Sequence, residues 1–502
     1  MNPVLLINPG GQPAIFQGLA VTATAKEPPI WCRLIASYLR VNHIPVAILD
    51  AEALELSPVA VANVALNMGP ALIVVVVHGH QPSASTQKMP VVAETVRAIK
   101  AVLPEKFVVL VGGHVAALPQ QSLAETGADY ACVGEGPVTV FELAWAIKHG
   151  KPPGVARGLR WASWITSSHA VAAPNVEDLE RGMPGGCWDL LPMAEYRSYA
   201  HHAWTNDFQR QPYASIYTSL GCPYSCSFCM IQTPFRQGDA LVLKGKANSY
   251  RTWPVESTIA ELEILVEKYG VVNIRFDDEM FVLNEPHVSA ICAAITERWG
   301  DQLNLWCYGR VDQTKEKFLD GMRRAGFKWL ALGIESMSTA VRDGVDKGGY
   351  GVVDIIATVN RVKNHGINII ANYMFGLPDD TPESMRQTLD LALELNTEYV
   401  NMYAAVAYPG SQLWDEQIKA GWRPPKNWLA WSFYSYEHEP LGTNTLTPTE
   451  VLRFRDTAWQ EYMRDESYLR MISLKFGRRA VEEVLATAAV PIRRKLIEGG
   501  EE

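Results

Sequence analysis

Short apolar runs rich in β-branched residues alternate with amphipathic stretches through the first 150 positions. Residues 4–8 are predicted to form a strand that ends in Pro9-Gly10-Gly11, residues 29–42 a helix, and 46–50 a second strand. The run 71–77 is apolar without a break, as expected of a strand buried on both faces of a parallel sheet. Residues 91–102 read as a helix. Two more strands follow, 107–111 stopping at Gly112-Gly113 and 130–133 stopping at Gly134-Glu135-Gly136. Strand, Gly-rich turn and helix in repetition predict a doubly wound α/β domain over residues 1–150.

Residues 151–212, rich in Pro, Gly and Trp, read as a connector. A second alternating series then runs from 213 to 412. Its predicted strands are 215–220, 272–276, 303–308, 329–333, 367–375 and 399–406, with helices near 255–269, 286–299, 314–325, 352–365 and 382–395. Six β/α repeats are too few to close an eight-stranded barrel, so an open, partial (β/α)6 barrel is expected, with its site at the C-terminal ends of the strands. From 413 to 502 the pattern is mainly helical. Thr447-Pro448-Thr449-Glu450 reads as a capping box with Pro at the first helical position. The aromatic cluster Trp428, Trp431, Phe433, Tyr434 and Tyr436 reads either as core or as a cap over the barrel.

Composition narrows the function without deciding it. The 502 residues suggest two to four domains, and 48% hydrophobic with 20% charged content supports sizeable cores. Fifty-four acidic residues against 45 basic give a net charge of −9, and no run of Lys and Arg forms a nucleic-acid stripe, so nucleic acid is not an expected partner. The first residues lack a signal-peptide order, and the longest apolar runs fall far short of the ~20 residues of a membrane span. A soluble, cytoplasmic chain is expected.

The chemistry is carried by cysteines. Five of the eight are scattered, but Cys222, Cys226 and Cys229 stand as C-x3-C-x2-C in a loop just past the first barrel strand. In a cytosolic chain such a cluster argues for metal rather than disulfides. A structural zinc would need a fourth Cys or His nearby, and the next histidine is His287. Three thiolates on a 4Fe–4S cube leave one iron open. With Gly221 before the first cysteine and Phe228 before the last, the segment resembles the radical S-adenosylmethionine superfamily over roughly 213–412. The resemblance implies that the open iron chelates S-adenosylmethionine and that Phe228 packs on its adenine. It also implies contacts from Asp277 and Asp278, in the acidic run Asp277-Asp278-Glu279 after the second strand. Arg310 after the third strand would meet the methionyl carboxylate, and Glu335 after the fourth the ribose or amino group.

Joined to such a barrel, the first domain is similar to the Rossmann-like cobalamin-binding domain of cobalamin-dependent radical enzymes, over roughly 1–150. The loops that carry this are Asn8-Pro9-Gly10-Gly11, the run His78-Gly79-His80-Gln81-Pro82-Ser83, Gly112-Gly113 and Gly134-Glu135-Gly136. The resemblance implies cobalamin contacts at Asn8, Gly10, Gly11, His78, His80, Gln81, Ser83, Gly112, Gly113, Gly134, Glu135 and Gly136, and glycine there lets backbone approach the corrin. Many cobalamin carriers have a D-x-H-x-x-G loop after the first strand; here that place has no histidine, which implies cobalt without a histidine from that loop. Glu27-Pro28-Pro29 is similar to an acidic-Pro-Pro element near the corrin face.

The family resemblance implies an enzyme that uses a 4Fe–4S cluster, S-adenosylmethionine and cobalamin. It would methylate an unactivated carbon of a small-molecule substrate through a 5′-deoxyadenosyl radical, with a flavodoxin- or ferredoxin-type reductant. A cyclase, rearrangement or epimerisation, like that of the anaerobic protoporphyrin ester cyclases, fits the same domain order. A tRNA methylthiotransferase would need a second set of three cysteines in the first domain, where only Cys32 and Cys132 occur.

Overall fold

The computed structural model describes residues 1–78, 82–161, 173–235 and 249–499. The first sheet is built from β1 (Val4–Asn8), β2 (Val46–Asp50), β3 (Leu72–Val76), β4 (Val108–Val111), β5 (Tyr130–Cys132) and β6 (Leu159–Trp161). Its order is β2-β1-β3-β4-β5-β6; the first five strands are parallel and β6 is antiparallel to β5. The apolar run expected at 71–77 supplies β3, whose five residues are all buried, as a central strand covered by helices on both faces requires. Strand order reverses between β1 and β3, so the ligand crevice of such a sheet opens at their C-terminal ends. One departure from the expected organisation is β6, which comes from the segment read as connector.

The second sheet begins with β7 (Tyr213–Ile216). A small antiparallel pair, β8 (Ser219–Leu220) and β9 (Arg251–Thr252), follows before the sheet resumes. Its remaining strands are β10 (Asn273–Phe276), β11 (Asn304–Arg310), β12 (Phe327–Glu335), β13 (Asn368–Phe375) and β14 (Tyr399–Ala404). All six run parallel in sequential order from β7 through β14, which curls them into an open half-barrel. The predicted first strand, 215–220, is split: it breaks after Ile216 so that Ser219 and Leu220 pair with β9 instead.

The C-terminal region is helical, through Pro448–Met463, Glu466–Phe476 and Arg478–Ala489, and the Thr447/Glu450 capping box is formed. The aromatic cluster divides between core and wall. Trp428 and Trp431 are buried in the core of the first domain with Leu5, Ile7 and Val75, where Trp428 Nε1 donates to Glu125 at 2.6 Å and Trp431 Nε1 to the Ala407 carbonyl at 2.7 Å. Phe433 and Tyr434 instead face a cavity inside the barrel. No helix among the described residues is long and apolar enough to cross a membrane.

Candidate active site

The three cysteines sit in the loop that β8 hands over to the barrel mouth. Gly221, at φ +82°, makes the turn, and a Cβ there would fall 2.5 Å from the Ser249 carbonyl oxygen. Burial, then the neighbouring thiols, pushes Cys222 up to about 12; burial, then Cys226, does the same to Cys229. Cys229 nevertheless keeps exposed surface, the combination expected of a group on the floor of a deep cleft. Among the described residues no three His, Cys, Asp or Glu side chains converge where they could hold a single ion. A cube takes each thiolate on a different iron, so no common point is needed. Three thiols in one loop, one of them exposed, fit a 4Fe–4S cluster.

Arg310 closes one side of the loop. Its guanidinium lies over the Tyr224 ring at 4.1 Å, with Nη1 3.5 Å from Cys226 Sγ, Nε 2.9 Å from Asp312 and Nη2 3.3 Å from the Gly348 carbonyl. Glu335, at φ +65°, meets Lys347 Nζ at 2.8 Å. Burial alone would lower the Lys347 ammonium, but Glu335 and Cys226 reverse this and raise it. Arg310 and Glu335, expected at one cofactor, are thus brought to the same side of the cysteine loop, together with a lysine that the sequence reading did not single out. Phe228 packs between the first-domain core and the small cluster of Val341, Val345 and Leu377.

The acidic run behaves differently from the expectation. Asp278 is buried and accepts from Thr218 N, from Thr218 Oγ1 at 2.7 Å and from Ser219 Oγ, so its carboxylate is spent on fixing β7 to β8. Asp277 lies inside the barrel, 2.6 Å from Arg275 Nη2, and burial raises it despite that guanidinium. The acid that reaches the cysteine loop is Glu279: one oxygen accepts from Gly221 N at 3.0 Å, the other is buried without a partner, and burial pushes the group up to about 8. The three acids lie just past the end of β10, where the chain leaves the strand, and each turns to a different partner.

Below the loop the half-barrel encloses a cavity of about 220 Å³. Trp306 and Tyr308 on β11 and Tyr399, Asn401 and Tyr403 on β14 face it at alternate positions. Tyr403, on the cavity wall, packs against the same small cluster of Val341, Val345 and Leu377 as Phe228, so the cavity adjoins the cysteine loop. Among the described residues that line it, the one permanent charge is Arg275, held by Glu27 Oε1 at 2.8 Å, Asp277 at 2.6 Å and the Tyr308 hydroxyl at 2.5 Å, and Tyr213 donates to Glu27 at 2.6 Å. Glu27, expected near a corrin face, is instead buried against the barrel.

In the first domain the predicted contacts separate. At the ends of β3 and β4, His78 and His114 are buried; both ring nitrogens of His78 and Nε2 of His114 lack a partner, His114 Nδ1 lies 3.3 Å from Thr86 Oγ1, and burial pushes both groups down to about 3. His78 stacks on Trp31 with ring centroids 4.2 Å apart. A Cβ added at Gly134 would meet nothing within 4 Å, whereas one at Gly112 would collide with the Val77 carbonyl. Gly113 begins the helix Gly113–Ala117, and Gly136, at φ +114°, caps the helix Pro137–Lys148. Gly10 and Gly11 line a separate hollow of about 590 Å³ beside β2. Orphaned imidazoles and open backbone at the strand ends fit a large polar cofactor there. Two expectations change: Asn8 bonds Asp50 at 2.8 Å, and Glu135 is paired with Arg251 at 2.7 Å, so both are occupied by protein partners. His80 and Gln81 lie outside the described residues. Ser83 falls in the turn Pro82–Lys88, with its side chain outside them.

The comparisons agree with this geometry. Residues 216–392 match the family model of the radical SAM superfamily, and residues 17–144 that of the B12 binding domain. The chain is 28% identical, over 85% of both sequences, to an uncharacterized methyltransferase of Pyrococcus horikoshii. It is 25% identical, over 78% of this chain and 66% of the relative, to the anaerobic magnesium-protoporphyrin IX monomethyl ester cyclase of Rubrivivax gelatinosus. Among solved structures it resembles the radical S-adenosylmethionine methyltransferase TsrM from Kitasatospora setae with cobalamin and a [4Fe-4S] cluster bound. That likeness has a TM-score of 0.62 at 20% identity and covers 85% of this chain and 76% of that one. It also resembles the cobalamin-dependent S-adenosylmethionine radical enzyme OxsB with aqua-cobalamin and S-adenosylmethionine bound, with a TM-score of 0.69 at 14% identity over 97% of this chain and 70% of that one. At those identities the two structures speak to the fold.

Proposed function

We propose, from the premise that this chain is a member of the radical S-adenosylmethionine superfamily carrying a B12 binding domain, that it methylates a carbon of a small organic substrate held in the barrel cavity. The observation that carries the reading is the adjacency of three grouped thiols, an Arg–Glu–Lys set and an enclosed cavity at one barrel mouth. Bound there, a 4Fe–4S cluster, S-adenosylmethionine and cobalamin supply a 5′-deoxyadenosyl radical and a transferable methyl group.

The chain's own part is binding, placement and exclusion of water. Cys222, Cys226 and Cys229 would hold the cluster. Glu279, with one unpartnered buried oxygen, and Glu335 would accept from the amino and ribose groups of S-adenosylmethionine, and Arg310 would pair with its carboxylate. Phe228 would cover the adenine. Backbone at Gly134 and the imidazoles of His78 and His114 would line the cobalamin crevice, with Gly112, Gly113 and Gly136 shaping its floor. Walls of tyrosine and tryptophan keep water from a radical that would otherwise be quenched. A small flavodoxin- or ferredoxin-type protein in the cytoplasm would supply the electrons.

Anaerobic incubation of the reconstituted protein with reductant and S-adenosylmethionine tests this. 5′-Deoxyadenosine forms in the wild type, S-adenosylhomocysteine accompanies it when substrate is methylated, and Cys226→Ala abolishes the first product together with bound iron. A wild-type chain that takes up zinc, or no iron and sulfide, overturns the reading. 5′-Deoxyadenosine with no methylated product would point to cyclisation or rearrangement.

A further inference from the structure

We propose that the barrel cavity receives an uncharged ring compound that carries several hydroxyl or carbonyl oxygens. This rests on the reading of the barrel as the reaction chamber and adds the class of molecule it takes.

Charge comes first. No Asp, Glu or Lys is among the described residues that line the cavity, and the single cation is Arg275. Both of its Nη nitrogens are already held by Glu27, Asp277 and the Tyr308 hydroxyl, which leaves only the buried Nε without a partner. A carboxylate or phosphate entering this space would have no free cation to meet, and an unpaired buried anion costs several kcal/mol. A cationic substrate would find no carboxylate among the described lining residues, and the two that border Arg275 are already paired with it.

The walls come next. Trp306 and Tyr399 on the barrel strands and Phe433 and Tyr434 on the C-terminal segment line a volume of about 220 Å³. Aromatic walls of this kind hold the C–H face of a saturated ring or the plane of a flat one. They do not suit a floppy chain.

Polar groups then exclude a plain hydrocarbon. The hydroxyls of Tyr199, Tyr399, Tyr408 and Tyr434 make no hydrogen bond to a described residue. All four residues line the one cavity. Asn401 Nδ2 is bonded to Asn372 at 3.0 Å, which leaves its carbonyl oxygen as an acceptor at the cavity wall. Drying four hydroxyls and an amide without replacing their water would leave buried polar groups unpaired, which opposes binding. The occupant must therefore bring oxygens of its own around a ring.

The test uses holoenzyme reconstituted with iron, sulfide, cobalamin and S-adenosylmethionine, titrated by ligand-observed NMR. Probes are methyl glucopyranoside and phloroglucinol, their carboxylates methyl glucuronoside and trihydroxybenzoate, and the amine methyl glucosaminide. At least one uncharged probe is expected to bind about tenfold more tightly than its charged partner, and Tyr399→Phe to weaken it about fivefold, the worth of one neutral hydrogen bond. Which uncharged probe binds tells a saturated sugar ring from a flat hydroxylated one. Tighter binding of a carboxylate or amine probe, or no binding of either uncharged probe, overturns the proposal. Iron, cobalt and 5′-deoxyadenosine are measured on the same sample. If 5′-deoxyadenosine forms while the uncharged probes fail, the substrate class is wrong and the radical reading stands; if neither iron nor 5′-deoxyadenosine is present, the radical reading fails whatever the probes do.

Discussion

Arg275→Met tests whether the charge set beneath the cavity joins the two main domains. The Arg275 side chain is 3% exposed and that of Glu27, from the first domain, 0%. The substitution removes contacts of 2.8 Å to Glu27, 2.6 Å to Asp277 and 2.5 Å to the Tyr308 hydroxyl, and strands the Glu27 carboxylate in the protein interior. Breaking a buried pair in this way costs about 3–5 kcal/mol, most of it the penalty of the charge left behind. Adding Glu27→Gln takes that charge away, and Asp277, raised by burial, is favoured in its neutral form. The double variant should recover roughly half the loss, a coupling of about 2 kcal/mol. In urea, with m near 3 kcal/mol/M or above for a chain of this size, the single variant should unfold ~1 M earlier than wild type. The double variant should fall between them, followed by tryptophan fluorescence on cofactor-free protein. A double variant no more stable than Arg275→Met, or a single variant with an unchanged midpoint, would refute the reasoning.

Gly221→Ala places a Cβ 2.5 Å from the Ser249 carbonyl at a φ of +82°; iron retained after reconstitution should fall several-fold while circular dichroism is unchanged, the strain of about 1–3 kcal/mol being local to the loop. Asp50 is fully buried, and burial raises it from 3.8 to about 6. The folded chain then holds this proton more tightly than the unfolded one, so the contribution is complete below about pH 4 and is lost as pH rises through 6. Asp50→Asn should therefore flatten the fall in melting temperature between pH 4 and 6, by up to about 3 kcal/mol in stability, and an unchanged slope would count against the shift.

The fold was legible where the sequence is locally redundant. The apolar run at 71–77 can only be a strand covered on both faces, and it is β3. The six strand–helix repeats after 213 announce an open half-barrel because each strand needs its own helix as cover. Local signals of this kind do not report register or partners. The end of the predicted strand 215–220 pairs with β9 from beyond residue 249, a contact that no window around 220 contains. Likewise, Leu159–Trp161 joins the first sheet through pairing with Tyr130–Cys132, and its surroundings read as a connector because three residues carry no periodicity.

The site divides along the same line. The cysteines were legible because their ligand spacing lies within eight consecutive positions. The acids were not, because a run of three carboxylates shows where negative charge gathers but not which way each member points. Past the end of β10, Asp277 meets Arg275 inside the barrel and Glu279 reaches Gly221, while Asp278 turns to Thr218. Lys347 had no signal at all, since only closure of the chain brings it to Glu335. Glu27 lies 248 positions from the arginine it neutralises. That separation has a structural consequence: the barrel contributes Arg275 with Asp277 and Tyr308, and the first domain adds Glu27, so the buried charge set beneath the cavity is complete only where the two domains meet.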